Sequence, residues 1–285
     1  MLFKNQLRKI IFSIILVVMS SCTTAYYLDH YPELSKNIFY KKVQRAERKL
    51  IQDKHNPDLL LKACQLRTQY TFAFVVEEAD RLVESDFNSG KELFDVALKS
   101  FEIAINNVEA AVRLHYPDFT IPAKAKNNSH QFTEKDVPYL YWWAAALGGA
   151  ISSSRGKPEW VIQLPKIGYL LKSALNVDSS WNNGAIHTAM ISYSMVRSDL
   201  KGKNVDEAVK HYEKVNNLSH GQDLSAQVSF AENVLVSQQN LEEFEKLLNK
   251  VLADNDTDIE ELKLGNIIAK ERAKWLLSRK DELFY

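Results

Sequence analysis

The 285-residue chain carries 36 Lys plus Arg against 36 Asp plus Glu, with 46% hydrophobic and 25% charged residues. That balance suits a folded protein with a sizeable core and supplies no basic stripe for nucleic acid. Its two cysteines are Cys22 and Cys64, and the first falls at a processing site, which leaves Cys64 without a disulfide partner.

The first predicted element is a lipoprotein signal peptide over 1–21. Lys4, Arg8 and Lys9 precede an apolar run over 10–19, and the small residues Ser20 and Ser21 stand before Cys22. A thiol at the new N-terminus accepts a diacylglyceryl group, and several acyl chains, at about 0.8 kcal/mol per buried CH₂, make a lasting membrane anchor. The chain from Cys22 onward then has a slight acidic excess. Thr23 is not the aspartate that holds lipoproteins in the inner membrane of enteric-type bacteria, so outer-membrane placement on the periplasmic side is expected. Residues 22–36 read as an anchor and linker, and 37–285 as one all-α domain.

Beyond the linker the apolar period is close to that of an α-helix. Leu59, Ala63, Leu66, Tyr70 and Phe74 step by four and three along one face, and Pro57 after Asn56 opens the helix. The β-like run 72–76 is embedded in that pattern and reads as helix. Cys64 lies on the apolar face as a small buried hydrophobe.

Three segments begin with a side-chain cap and a glutamate three residues on: Ser89 with Glu92, Asn204 with Glu207, and Asn240 with Glu243. The triplet Ala208, Tyr212, Val215 returns 36 residues later as Phe244, Leu248, Val251. Ala97, Phe101, Ala104 and Ile167, Leu171, Ala174 share its internal spacing. This is the second-helix pattern of degenerate tetratricopeptide-like repeats, and it predicts a right-handed superhelical solenoid with a cleft. The segment 115–138 has no period and reads as a long irregular connection.

Catalytic and metal signatures are missing. No G-x-S-x-G, H-E-x-x-H, Walker loop or C-x-x-C occurs, so no enzyme and no cofactor is expected. The run Asp254, Asp256, Asp258 opens like a calcium loop. It then places Ile259 where the loop needs its turning Gly and Gly265 where it needs a bidentate Glu, so no metal site is expected there.

The stretches "YLYWWAAALGGAISSSRGKPEWVIQLPKIGYLLKSALNVDSSWNNGAIHTAMISYSM", "FAENVLVSQQNLEEFEKLLNKVLA" and "ERAKWLLSRKDELF" together resemble the TatT family of lipoproteins, the T components associated with TRAP transporters. "QYTFAFVVEEAD" and "ALKSFEIAINNVEAAVRLHYPDF" extend the likeness over most of the chain. The resemblance implies an all-α, repeat-like periplasmic accessory protein. It further implies a homotrimer with a cleft or pore through each protomer, which docks a substrate-binding P component. The resemblance supplies no catalytic residue. A general tetratricopeptide-type envelope scaffold, binding proteins and no small molecule, is the competing reading.

Within "YLYWWAAALGGAISSS", Tyr139, Trp142, Trp143, Ala146, Leu147, Ala150 and Ile151 form one broad apolar helix face, and Tyr141, Ala145, Gly148 and Ser152 a smaller, faintly polar one. Gly148 and Gly149 each cost up to about 1 kcal/mol relative to Ala inside a helix, so either a neighbouring helix or a ligand comes close there. The helix from Gly184 divides likewise, with His187 and Ser194 away from Ile186 and Met190. The expected ligand cleft therefore joins Tyr141, Trp142, Trp143, Gly148, Ser152, His187 and Ser194, with Asn182 and Asn183 at its mouth. It would suit a small hydrophobic or amphipathic solute.

Overall fold

The computed structural model describes residues 32–122, 130–254 and 257–285. The expected signal peptide, Cys22 and most of the expected linker lie outside those residues, as does Asp256. Among the described residues all regular structure is helical: α1 Pro32–Gln52, α2 Pro57–Tyr70, α3 Glu77–Ser85, α4 Phe87–His115, α5 Val137–Ser153, α6 Pro158–Val161, α7 Leu164–Val177, α8 Trp181–Val196, α9 Asn204–Leu218, α10 Leu224–Phe230, α11 Leu241–Ala253, α12 Glu260–Ser278 and α13 Lys280–Leu283. Helix α1 starts five residues earlier than the sequence suggests, and Ser35 is already buried.

Local chemistry explains most boundaries. The Asn56 side chain accepts from the N–H groups of Asp58 and Leu59, both at 3.1 Å, and Pro57 fills the first turn of α2. Asn240 accepts from Glu243 N at 3.2 Å and caps α11 as predicted. The other two predicted caps are corrected. Helix α4 begins before Ser89, because the Asp86 carboxylate accepts from Ser89 N at 3.2 Å and Ser89 Oγ at 2.6 Å. Asn204 caps nothing and donates its amide to the carbonyls of Ser194 at 2.7 Å and Arg197 at 2.6 Å, tying the end of α8 to the start of α9.

The helices alternate between two layers. First helices α2/α3, α5, α8, α10 and α12 touch one another in series, and each of α4, α7, α9 and α11 packs between two consecutive first helices. The first helices form the inner layer and the second helices the outer one. The predicted triplets face the core from the second helices. Ala97, Phe101, Ala104, Ala174, Ala208, Val215, Phe244, Leu248 and Val251 are sealed from water, and Tyr212 stacks on Phe230 with ring centroids 4.1 Å apart.

Two first helices contain a wider turn with one extra residue: Thr71–Val76 joins α2 to α3, and Ala231–Leu235 extends α10. Such a turn rotates the side chains that follow by about 100°. Glu77 comes directly after the first and Glu232 lies in the second, and both carboxylates meet Arg272 of α12. Arg272 also reaches Asp80 at 2.8 Å, and Arg279 pairs with Glu84. The last first helix is thereby bonded to α3, and the inner layer closes on itself.

Candidate functional site

Of the glycine pair, Gly149 alone makes a close approach. An added Cβ on Gly149 falls 2.3 Å from Phe101 Cζ, so this glycine lets α5 sit on the α4 ring. On Gly148 the nearest atom is Ile167 Cδ1 at 3.8 Å, an ordinary contact. The face that carries Gly148 also carries Tyr141 and Ala145, which are half-buried, and Ser152, which is exposed at the far end of α5. This is the inward face of the helix.

Tyr141 is the pivot of that face. Its ring meets Trp142 edge-on at 5.1 Å and Trp181, at the start of α8, at 4.9 Å. Burial, aided by the nearby Asp223 carboxylate, pushes its hydroxyl up to about 12, while part of the side chain still meets solvent.

Helix α8 and helix α10 supply the polar half of the wall. Thr188 Oγ1 donates to Asp223 at 2.8 Å, and Asp223 also caps α10 by accepting from Ser225 N at 3.0 Å and Ala226 N at 3.2 Å. Burial pushes the Asp223 carboxyl above the usual carboxylate range, against those hydrogen bonds. One helical turn deeper, Ser192 and Ser229 hydroxyls are 2.9 Å apart, and Asn233 donates to Ser192 Oγ at 3.2 Å. Arg272 and its carboxylates stand beyond them. Burial works against the Arg272 charge, yet Glu232, Glu77 and Asp80 together raise its pKa, whereas burial raises that of Glu77 in spite of Arg272 and Arg81.

Asn182, Asn183 and Gly184 form a left-handed turn, with φ of 49°, 56° and 91°. Asn tolerates this region better than most residues, and Gly184 is favoured for a second reason: an added Cβ would press on Val215 at 3.2 Å and Leu218 at 3.1 Å on α9. Asn182 is exposed and Asn183 half-buried beside Trp181, so both stand at the same end of the wall as Tyr141 and Asp223.

Three expected cleft residues point elsewhere. Trp143 is buried in the main core, 6.4 Å from Phe119. His187 and Ser194 are buried on the α9 side of α8, where the His187 and His211 Nδ1 atoms are 2.8 Å apart. The left-handed turn within the start of α8 sets the phase of the helix that follows, and the inward positions become Thr188 and Ser192. The sequence hid Thr188, Ser192 and Asp223 because hydroxyls at i, i+4 read as a solvated face; Asp223 ahead of "LSA" is a cap signal that would have found α10. Nothing in the sequence marks Arg272, whose partners on α3 are up to 195 residues away.

Fold and wall together define an all-α protein of paired helices with a closed inner layer. The TRAP transporter T-component family matches residues 29–284, and the chain belongs to that family. Over 240 residues the chain is 21% identical to an uncharacterized protein of Treponema pallidum (strain Nichols), an alignment that covers 82% of this chain and 74% of that protein. Membership assigns the chain an accessory role in a TRAP transporter. Among the described residues no helix is long and apolar enough to cross a membrane.

Proposed function

We propose that this T component is lipid-anchored at Cys22 on the periplasmic side, in the outer membrane, as a single repeat domain that assembles as a homotrimer. It docks a substrate-binding P component and holds a small amphipathic solute on its inner wall. The observation that carries the solute reading is the wall itself: aromatic at Tyr141 and Trp181, hydroxyl-lined at Thr188, Ser192 and Ser229, and desolvated yet reachable. Apolar surface with a few placed polar groups is what such a solute requires. The homotrimer and the P component rest on family membership.

Gly148 and Gly149 provide the test. A Cβ added at Gly148 meets only Ile167 Cδ1, at 3.8 Å, so Gly148→Leu should retain the melting temperature and lose any small molecule that native mass spectrometry finds on the wild type. Gly149→Leu should fail to fold, because Phe101 occupies that space. Unchanged solute retention in a folded Gly148→Leu protein would remove the wall from the proposal and favour a scaffold that binds proteins alone.

A further inference from the structure

Short turns join each first helix to its second helix, and the packing puts all of these turns at one end of the stack. Lys157 in the turn after α5 bonds Asp95 near the start of α4 at 3.1 Å, and Arg279 after α12 pairs with Glu84 before the turn at Asp86. Gln239, in the turn before α11, donates to Leu283 O at 3.1 Å. Helix α1 runs antiparallel to α2/α3, with Lys36 on Glu78 at 2.6 Å and Phe39 on Phe74 at 6.0 Å, so its Pro32 end lies at this rim too.

The rim exposes several apolar side chains. Phe87 is 66% exposed, Ile162 77% and Val196 57%, with Val161 beside Ile162. Around the two middle turns stand the exposed cations Arg155, Lys201 and Lys203 and the Asp95-paired Lys157, with Glu159, Asp199 and Asp206 among them, and Glu84 and Asp86 are exposed beside Phe87. The opposite rim mixes both signs, with Asp53, Asp58, Asp118, Asp258, Glu260 and Glu261 exposed beside Lys54, Arg113 and Lys135.

We propose that the turn rim, led by Val161, Ile162 and Val196, rests in the surface of an anionic phospholipid bilayer. This reading builds on the Cys22 anchor: nine residues separate Cys22 from Pro32, at most about 35 Å of chain, and that chain joins the fold at this rim and not at the opposite one. Apolar side chains enter the boundary between headgroups and acyl chains, and Arg155, Lys201 and Lys203 meet lipid phosphates. The inner wall then opens at Tyr141 and Asp223 on the side facing away from the bilayer, where a soluble partner has access.

The test uses the full chain, purified with its lipid and reconstituted into vesicles of phosphatidylethanolamine and phosphatidylglycerol at 3:1. Spin labels are placed at Ile162→Cys or Ile51→Cys. Cys64 is sealed in the core with its thiol pushed up to about 12, so it does not compete for the label. The Ile162 label should collide several-fold more with membrane-dissolved oxygen, relative to an aqueous nickel chelate, than the Ile51 label does. Lys201→Glu with Lys203→Glu should lower that ratio without moving the melting temperature. Equal ratios at the two sites would overturn the proposal, and protection of the Ile162 label only after a protein partner is added would assign the rim to that partner. Failure of the protein to float with vesicles ends the anchor reading alone. The rim is then decided by the Ile162 label in a dense suspension of the same vesicles, where an aqueous ratio overturns it.

Discussion

Helices α2 to α7 share one apolar core with the start of α8, in which Phe101, Leu140, Leu147 and Leu170 are almost wholly sealed from water. Helices α8 to α12 divide theirs between two smaller clusters and join them with polar pairs. Asn266 accepts from Leu224 N at 3.0 Å and donates to Gln222 O at 2.8 Å, Thr188 bonds Asp223, and His187 meets His211. Two ways of stacking helix pairs thus coexist. Apolar layers stabilise through area and tolerate small slides, whereas hydrogen-bonded pairs permit one geometry and penalise every other.

The comparison breaks most easily at Phe101. Phe101→Ala empties the contact with Phe72 and Gly149 and should cost about 3–5 kcal/mol in urea unfolding. Protection from hydrogen exchange should be lost across α4 and α5 before α11; a loss confined to the C-terminal helices would refute the single N-terminal core.

Acid should sharpen it next. Burial, then the neighbouring His187, pushes His211 down to about 4, and burial lowers His187 as well. In the unfolded chain both rings take up protons near their ordinary pKa of about 6.5, so the stability they support is complete above that value and drains away as pH falls toward about 4. Asp223 and Glu77 act in the opposite sense, because burial raises them and acid relieves them. The measurement is therefore a difference. Between pH 6.5 and 4, wild type should lose roughly 2 kcal/mol more than His211→Phe, after discounting for water at the ring. Equal losses would mean that the imidazoles titrate freely.

Thr188→Val is the smallest of the three, at about 1 kcal/mol in the same assay. It removes one hydrogen bond from Asp223 and leaves the two backbone donors in place. An effect below the error of the assay would show that the hydroxyl wall contributes shape alone.

The second-helix triplets were legible because burial and period coincide there: Ala97, Phe101 and Ala104 have one face to satisfy and no competing partner. Asn56 and Asn240 were legible as caps for a similarly local reason. What escaped depends on distant chemistry. Ser89 looked like a cap until Asp86, three residues earlier, offered the better acceptor. His187 looked inward until the left-handed turn at Asn182 to Gly184 set the phase of α8. The glycine pair was readable as a close contact, and only the position of the Phe101 ring decides which glycine makes it.

Stacked helix pairs that touch only their neighbours unfold like a one-dimensional array, fraying inward from whichever end is weakest. Arg272 and Arg279 make the two ends neighbours. Such a necklace has no loose bead. Helix α12 cannot detach without stripping Glu77 and Asp80 of the cation that offsets their burial, so damage at one end is felt 195 residues away. Cooperativity in this protein is then a property of its closure, and Arg272→Met should turn one sharp thermal transition into two broad ones.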